Sequence, residues 1–217
     1  LDPTWVPFCR ELWSSAEQQQ NYLPGVPEGS DLCITPVSAP ENHYVRIKAD
    51  NRLDADGTLR GTFTLTAEGQ SDSNIRRIFT TGFRSEWKNT MESQLLAISP
   101  KAKLLSVDYG KNPKDYQAAP IKITFRYEIP DYALKGEKEM FFRPLVMNNL
   151  YNQVRSYLRI DTSLKERKYG FKDGCSRLVE LDETIQLPAG YKLANADKNE
   201  TCLLYTSPSP RDRSLSR

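Results

Sequence analysis

The sequence predicts a mainly β fold of the α+β class, in which an antiparallel, sandwich-like sheet carries one long amphipathic helix. Three observations lead to this prediction. Apolar and polar residues alternate in several stretches, as they do in half-buried strands. Most of these stretches are joined by short segments rich in turn residues, which favours hairpins over the longer crossovers of parallel strands. One stretch, residues 74–98, instead places its apolar residues at helical spacing.

The first clear element is a β-hairpin that begins near His43. Residues 45–49 alternate between apolar and polar side chains, and residues 59–67 do the same. Between these runs, residues 54–57 read Asp-Ala-Asp-Gly, and Gly57 can adopt the positive φ that a tight turn needs. The two runs are therefore predicted to pair as antiparallel strands.

A single helix is predicted over residues 74–98. Residues 71–74 supply candidate N-cap side chains, Pro100 ends the helix, and Gly82 marks a point where it can bend. The apolar stripe of this helix has no second helix to meet, so we expect it to lie across the sheet. Its members are Ile75, Ile78, Phe79, Phe83, Met91, Leu95 and Ile98.

The later part of the chain again favours strands. Residues 145–160 are ambiguous between a long loop and an irregular strand. Further strands are predicted over residues 102–109, 121–129, 139–143, 165–169 and 178–187.

The segment before the first hairpin has a different composition. Residues 11–41 contain repeated Pro and Gly, which predicts a semi-rigid connector with a short strand at residues 32–34.

The last residues differ in composition from the rest of the chain. Residues 202–217, CLLYTSPSPRDRSLSR, are rich in Ser, Pro and Arg and continue no apolar period. They resemble a translated sequencing-adapter artefact found at the ends of metagenome-derived reading frames, and an ordinary disordered C-terminus is the alternative. Three arginines against one aspartate give this stretch a charge of +2, which equals the net charge of the whole chain. Residues 194–217 are therefore predicted to be a disordered, non-native tail.

Composition argues against several classes of function. Apart from the tail the chain is neutral, which gives no indication of nucleic-acid binding. No apolar run approaches the roughly 18 residues of a membrane-spanning helix. Cys9, Cys33 and Cys175 lack metal-ligand spacing, and His43 has no neighbouring ligands. We expect no metal and no cofactor. The thiols are explained by small buried cysteines or by a Cys9–Cys33 bridge.

Several short motifs, each common on its own, follow one another along residues 1 to about 193. In this order they resemble the C-terminal part of bacterial transglutaminase-like proteins, in which a β-rich module of unknown function follows a papain-type catalytic core. The motifs are Leu1-Asp2-Pro3-Thr4, Pro27-Glu28-Gly29, Thr35-Pro36, Pro40-Glu41-Asn42, Asp56-Gly57-Thr58-Leu59 with Gly61, Tyr127-Glu128-Ile129-Pro130-Asp131-Tyr132 and Leu187-Pro188-Ala189-Gly190-Tyr191.

The resemblance implies a division of the chain. Residues 1–10 would close the catalytic core, residues 11–41 would form the connector, and residues 42–193 would form a β-rich accessory domain. The chain would then be a fragment of a parent protein exported to the periplasm or cell surface of a Gram-negative bacterium.

The resemblance also implies a role for Asp2. It would be the orienting member of the parent's Cys-His-Asp triad, holding the catalytic imidazole in its tautomer, with Cys and His upstream of residue 1. The alternative is an Asp that caps local amides in a strand-to-turn segment. Cys9 follows Asp2 too closely to be the nucleophile, and His43 comes after the connector. The chain itself is therefore expected to be non-catalytic.

The main hypothesis is a non-catalytic accessory domain whose partners are the upstream core and the protein or peptide substrate of the parent. The alternative is a free-standing carbohydrate- or ligand-binding β-sandwich. Exposed aromatic side chains would favour binding, whereas inward aromatics and an apolar N-terminal edge would favour the accessory role. An independent enzyme would need His43 beside Cys9 or Cys33. The aromatic candidates are Trp13, Trp87, Tyr109, Tyr116, Tyr127, Tyr132, Tyr151 and Tyr157.

Two smaller features have competing interpretations. Asp54 and Asp56 could bind calcium, but no third ligand follows at the required spacing, so a turn is the preferred interpretation. Residues 165–169 carry several charges around one tyrosine and could form a phosphate patch. Glu166 lies within that run, which favours a solvated surface strand instead.

Overall fold

The computed structural model describes residues 17–115, 120–146 and 176–194, together with Glu166 and Lys168. Its helices are α1 (Gly69–Thr80) and α2 (Trp87–Ile98), and 3₁₀ turns cover Pro40–His43 and Arg84–Glu86. Its strands are β1 (Asn21–Tyr22), β2 (Cys33–Ile34), β3 (Tyr44–Leu53), β4 (Leu59–Ala67), β5 (Lys103–Asp108), β6 (Ile121–Ile129), β7 (Leu134–Lys135), β8 (Met140–Phe141) and β9 (Leu178–Gln186).

The main sheet has five strands in the order β5-β6-β4-β3-β9. Neighbouring strands are antiparallel except for β3 and β9, which are parallel. A parallel pair needs a long connection, and β9 follows β3 only after most of the domain. The sheet is therefore mixed, whereas the hairpin spacing of the sequence predicted an antiparallel one. The pairs β1–β2 and β7–β8 form two small ribbons.

The two faces of the main sheet differ because side chains alternate along each strand. In β3, Val45, Ile47 and Ala49 are buried, and the residues between them are exposed. The strand register continues the buried face: Ala49 lies opposite Phe63, and Phe63 lies opposite Phe125. The rings of Phe63 and Phe125 stack with centroids 4.4 Å apart. This face forms one side of the hydrophobic core.

Helices α1 and α2 cover this face, α1 against β3 and β4 and α2 against β5. Phe79 of α1 is fully buried, and its ring meets Trp87 of α2 edge to face with centroids 5.1 Å apart. Tyr109, just after β5, packs edge-on against both rings. Aromatic pairs of this geometry contribute about 0.5–1.5 kcal/mol beyond their burial. The aromatic cluster therefore holds both helices to the sheet.

The prediction of one long helix over residues 74–98 is wrong. The structure has two helices of 12 residues each, separated by residues 81–86. Gly82 lies within this break, and glycine disfavours helix by about 1 kcal/mol relative to alanine. Phe83 follows in an extended conformation. Its side chain is 77% exposed, although helical spacing placed it on the predicted apolar stripe.

Two consecutive threonines end α1. The hydroxyls of Thr80 and Thr81 both donate to the carbonyl oxygen of Arg77, at 3.3 and 2.7 Å. Threonine side chains that bond to the preceding turn compete with the backbone hydrogen bonds of a helix. The break also makes the contact between Phe79 and Trp87 feasible, since a continuous helix would separate these residues by about 12 Å along its axis.

Helix α1 begins at Gly69, earlier than predicted. The N-cap candidates Ser71 and Asp72 lie inside its first turn and are fully buried. Ser71 donates its hydroxyl to the carbonyl oxygen of His43 at 2.9 Å. Asp72 accepts a hydrogen bond from the backbone amide of Ile121 at 2.6 Å. The two side chains therefore bind α1 to the beginnings of β3 and β6 and do not act as N-caps.

The predicted mainly β, α+β fold is confirmed, but the described residues do not form a sandwich of two large sheets. Helices cover one face of the main sheet, and the opposite face carries charged and polar side chains, among them Arg46, Lys48, Asp50 and Arg52 of β3. Burying so many charges under a second sheet would cost more than it stabilises. Within the described residues the result is two layers, one of strands and one of helices.

Most predicted strands within the described residues are confirmed. The β3–β4 hairpin pairs from Val45 with Ala67 to Leu53 with Leu59, and strands occur within 102–109, 121–129 and 178–187. The short strand at residues 32–34 is β2, which pairs with β1. Residues 1–10, most of the 145–169 region and the tail from residue 195 lie outside the described residues.

Candidate functional site

The predicted site residue Asp2 lies outside the described residues, as does Cys9. The role of Asp2 in a triad therefore stays a prediction. Cys33 is described: it is a free, partly buried cysteine, and its Sγ lies 3.7 Å from the carbonyl oxygen of Asp31. A backbone carbonyl oxygen is not a general base, so this contact does not activate the thiol of Cys33.

His43 is fully buried where β3 begins. Its Nδ1 accepts a hydrogen bond from the backbone amide of Gln70 at 3.1 Å. Burial, reinforced by the charge of Arg177, holds the pKa of His43 below its ordinary value. Because Nδ1 is an acceptor, the imidazole is neutral and carries its proton on Nε2. The ring binds the first turn of α1, so His43 has a structural role here and is not the base of a Cys33 thiol.

Asp54 and Asp56 shape the β3–β4 turn. The carbonyl oxygen of Asp54 accepts from the amide of Gly57 at 3.0 Å, and Asp56 Oδ1 accepts from the amide of Thr58 at 2.8 Å. The second bond lowers the pKa of Asp56. Gly57 has the positive φ of 89° that the sequence predicted. The carboxylate of Asp54 also pairs with Arg60. The turn interpretation is confirmed.

A buried ion pair joins α1 to the connection between β5 and β6. Both carboxylate oxygens of Asp72 accept from Arg76, at 2.6 and 3.0 Å. The side chains of Asp72 and Arg76 are 0% and 5% exposed. Arg76 also donates to the carbonyl oxygens of Pro113 and Asp115 at 2.9 and 3.0 Å. With these partners the guanidinium is well satisfied, and the pair is a structural tie.

A cleft of about 820 Å³ opens at the end of the sheet where β3 and β9 finish. We call it the terminal cleft. One wall is the β7–β8 hairpin with the residues that follow it, and the other is the segment after β9. Its volume falls within the range of about 300–1,000 Å³ found for ligand sites. Its lining is mostly apolar and includes Leu53, Met140, Phe141, Pro144, Leu187 and Tyr191.

The rim of the terminal cleft combines exposed apolar and basic side chains. Phe141 is 58% exposed and Leu193 is 61% exposed. Lys138 and Lys192 are exposed residues of the same lining, and Glu139 adds one acidic side chain. Large apolar side chains gathered around a concavity are typical of binding surfaces. The rim therefore suits an apolar ligand with some negative charge.

The carboxylate of Glu183 holds the end of the cleft wall that follows the β7–β8 hairpin. Glu183 lies on the core-facing side of β9, because it is paired with Ala49 of β3. Its Oε1 accepts from the backbone amide of Leu145 at 3.0 Å, and its Oε2 accepts from that of Val146 at 2.8 Å. The side-chain amide of Asn51 donates to Oε1 at 2.8 Å. These bonds tie the end of the wall to two strands of the sheet.

Two tyrosines complete the network under the cleft. The Tyr127 hydroxyl donates to Oδ1 of Asn51, and the Tyr132 hydroxyl donates to the carbonyl oxygen of Arg143 at 2.6 Å. Burial, and then the charge of Glu183, raise the pKa of Tyr127 and raise the pKa of Tyr132 to about 12. Both phenols therefore remain protonated donors at neutral pH, as a supporting network requires.

Sequence reasoning missed the terminal cleft. Met140 and Phe141 were assigned to a strand, and Leu187 to Tyr191 served only as a family motif and a strand end. A signal did exist: two adjacent phenylalanines, Phe141 and Phe142, cannot both be buried by a strand whose side chains alternate. What no pattern could reveal is that the ends of β3 and β9 lie side by side.

A second surface lies on the connector. Strands β1 and β2, the loop between them and the segment that follows β2 expose six large apolar side chains, each 44–69% exposed. We call this set the connector surface. It consists of Tyr22, Leu23, Val26, Leu32, Ile34 and Val37. So many exposed apolar side chains in a short segment are typical of an interaction site.

The described residues include no helix long and apolar enough to cross a membrane. They also include no group of three His, Cys, Asp or Glu side chains placed to hold a metal ion. Comparison of the chain with protein-family models, with curated proteins and with solved structures found no match.

Proposed function

We propose that residues 42–193 form a non-catalytic accessory domain and that the connector surface, which precedes this domain, docks against a transglutaminase-like catalytic core in the same polypeptide. In this proposal the parent protein carries out thiol-dependent acyl transfer or amide hydrolysis on protein or peptide substrates. Asp2 orients the catalytic histidine of that core, and the protein works in the periplasm or at the cell surface.

The connector surface is the observation that carries this proposal. It lies in the connector, residues 11–41, which follows the residues 1–10 that the resemblance assigns to the end of the core. Leu32 and Ile34 are 69% and 67% exposed, and Leu23 is 66% exposed. Burying apolar area contributes about 25 cal/mol per Å². A core that emerges next to this segment would therefore gain stability by covering it.

The connector holds these side chains outward by its own hydrogen bonds. The amide of Thr35 donates to the carbonyl oxygen of Gln20 at 2.9 Å, and the amide of Gln19 donates to that of Thr35 at 3.0 Å. The Gln18 side-chain oxygen accepts from the amide of Ser38 at 2.6 Å. A segment ordered in this way presents a prepared surface, which lowers the entropy lost on docking.

Four of the predicted aromatic candidates favour the accessory role over carbohydrate binding by their inward orientation. Trp87 and Tyr127 are 5% and 0% exposed, and Tyr109 and Tyr132 are half-buried against the core. Sugar-stacking surfaces need exposed aromatic faces, and these four residues do not provide one. The other four aromatic candidates lie outside the described residues.

The proposal can be tested on the protein that includes the upstream reading frame. That frame is expected to encode a Cys followed by a His, and the longer protein should show protected amides at residues 21–37 in hydrogen–deuterium exchange. The chain alone should exchange there faster than the longer protein. Replacing Leu23, Leu32 and Ile34 by serine should remove the protection. Phe83→Ser is the matched control, because Phe83 is 77% exposed but far along the chain from the connector.

Two results would contradict the proposal. An upstream frame without a Cys followed by a His would remove the assignment to a thiol-dependent core. Equal exchange at residues 21–37 with and without the upstream part would remove the docking role of the connector surface.

A further inference from the structure

We propose that the terminal cleft binds an extended peptide segment that carries large apolar side chains and at least one acidic side chain. This inference concerns the domain itself and stands whether or not a catalytic core precedes it. Four features support it: the open shape of the cleft, its apolar lining, its two lysines and its anchored wall.

The shape of the cleft favours an extended chain over a compact small molecule. Small-molecule sites bury most of their ligand. Here the walls stand apart and Phe141, Tyr191 and Leu193 on the rim are each at least 40% exposed. A ligand in the cleft would therefore keep one side in solvent. An extended peptide does so naturally, because alternate side chains point to opposite sides.

The lining offers separate positions for apolar side chains. Leu53 forms a buried floor with 1% exposure, and Met140 and Leu187 lie partly buried beside it. Phe141 stands on one wall and Tyr191 on the other. Residues 187–194 belong to no helix or strand, so their backbone groups are not part of a sheet ladder. They can form hydrogen bonds with a peptide backbone.

The charges of the rim define the polar part of the ligand. Lys138 and Lys192 line the cleft on opposite walls, together with Glu139. Neither lysine takes part in an ion pair among the described residues. The net positive rim complements an acidic side chain flanking the apolar ones.

The anchored wall makes the cleft a preformed site. Pro144 lines the cleft, and the next two residues, Leu145 and Val146, donate their amides to Glu183. A wall held at its base by a carboxylate does not need to be ordered by the ligand. Such preorganisation reduces the entropy cost of binding.

The test uses the full chain with ¹³C-labelled Leu and Met methyl groups and two mixtures of capped hexapeptides. Both mixtures carry Phe, Leu or Tyr at positions one, three and five and Ser at positions two and four. One mixture ends in Asp and the other in Lys. We expect the Asp mixture to shift the methyl signals of Leu53, Met140 and Leu187 and to bind more tightly than the Lys mixture. From the usual strength of exposed charge pairs, the difference should be about twofold to fivefold.

Variants connect the binding to particular side chains. Phe141→Ala should weaken binding about tenfold, because it removes the large aromatic side chain that one wall of the cleft offers to the peptide. The matched control Phe83→Ala, which removes an exposed phenylalanine elsewhere, should bind like the unmodified chain. The double change Lys138→Glu and Lys192→Glu should reverse the preference and make the Lys mixture the tighter ligand. Both positions are exposed, so this variant is expected to fold normally.

Several outcomes would overturn the proposal. They are the absence of methyl shifts with either mixture, unchanged binding by Phe141→Ala, and an unchanged preference after the double charge reversal. Dodecanoate serves as a competing apolar anion. If it shifted the same methyl signals at lower concentrations than the Asp mixture, the cleft would be a site for acyl anions and not for peptides.

Discussion

Because Gly61 has no side chain, the side chain of Asn51 on β3 can pass over β4 and reach Tyr127 on β6. Asn51, Gly61 and Tyr127 are neighbours on adjacent strands β3, β4 and β6. A Cβ atom on Gly61 would overlap Oδ1 of Asn51 and would lie 2.5 Å from the carbonyl oxygen of Asp50. Because that space is empty, Oδ1 of Asn51 accepts the Tyr127 hydroxyl while its amide group donates to Glu183. The glycine is thus a requirement of the buried polar network.

We therefore expect Gly61→Ala to destabilise the fold by about 2–4 kcal/mol, the sum of overpacking and a broken buried hydrogen bond. The free energy of unfolding can be measured by urea denaturation. Gly25→Ala is the matched control, since a Cβ atom there meets nothing within 4 Å, and it should change stability by less than about 0.5 kcal/mol. Equal stability of the two variants would show that Asn51 does not cross above Gly61.

Glu183→Ala should loosen the wall of the terminal cleft. The variant loses the acceptor of the Leu145 and Val146 amides and of the Asn51 side chain. Hydrogen bonds to a charged group contribute about 1.5–3 kcal/mol each. Because Glu183 is only partly buried, water can replace part of the three lost bonds, and we expect a net loss of about 2–4 kcal/mol. Hydrogen–deuterium exchange at residues 145 and 146 should accelerate more than exchange in β6.

Glu180→Ala is the control for this prediction, because Glu180 lies on the same strand but pairs with Arg46 on the exposed face. Its loss should leave exchange at residues 145 and 146 unchanged. If Glu180→Ala accelerated that exchange as much as Glu183→Ala, the anchoring role of Glu183 would be wrong.

Arg76→Leu should be strongly destabilising because it leaves the carboxylate of Asp72 buried without its cation. Removing one partner of a buried pair costs about 3–5 kcal/mol. Lys101→Ala breaks the exposed pair with Asp131 and should cost less than about 1 kcal/mol. Thermal or urea unfolding of both variants checks the contrast. Similar losses for the two would mean that the Asp72–Arg76 pair is not desolvated.

His43 should make stability depend on pH below neutrality. Its pKa is lowered in the folded state, so below about pH 6.5 the unfolded chain binds a proton that the folded chain does not. The free energy of unfolding should therefore fall as the pH decreases, by at most about 1.4 kcal/mol per pH unit. Urea unfolding at pH 5, 6, 7 and 8 measures this slope.

His43→Asn is the comparison for the pH prediction. Asparagine places an oxygen near the Nδ1 position, where it can still accept the Gln70 amide, but it does not titrate. His43 is the only histidine of the chain, so the variant should lose the slope between pH 6 and 7. An unchanged slope would mean that a group other than His43 causes the dependence of stability on pH.

Local patterns determined a large part of this fold. Alternation in β3, β4 and β6 predicted the strands and their buried faces, since a pleated strand must place successive side chains on opposite sides. The Asp-Ala-Asp-Gly turn was likewise readable, because Gly57 alone there takes a positive φ without strain. Helical spacing was less reliable. It assigned Phe83 to the apolar stripe, because spacing alone does not show that the hydroxyls of Thr80 and Thr81 bond to the Arg77 carbonyl oxygen where the helix ends.

The sequence by itself determined the class of the fold, most of its strands and the polarity of the two sheet faces, because these depend on neighbours along the chain. Only the tertiary structure decided that β9 lies parallel to β3. That pairing brings Glu183 near Asn51 and Leu145 and places the ends of the two strands together at the terminal cleft. Contacts between residues far apart along the chain depend on how the strands are ordered, and no local periodicity encodes that order.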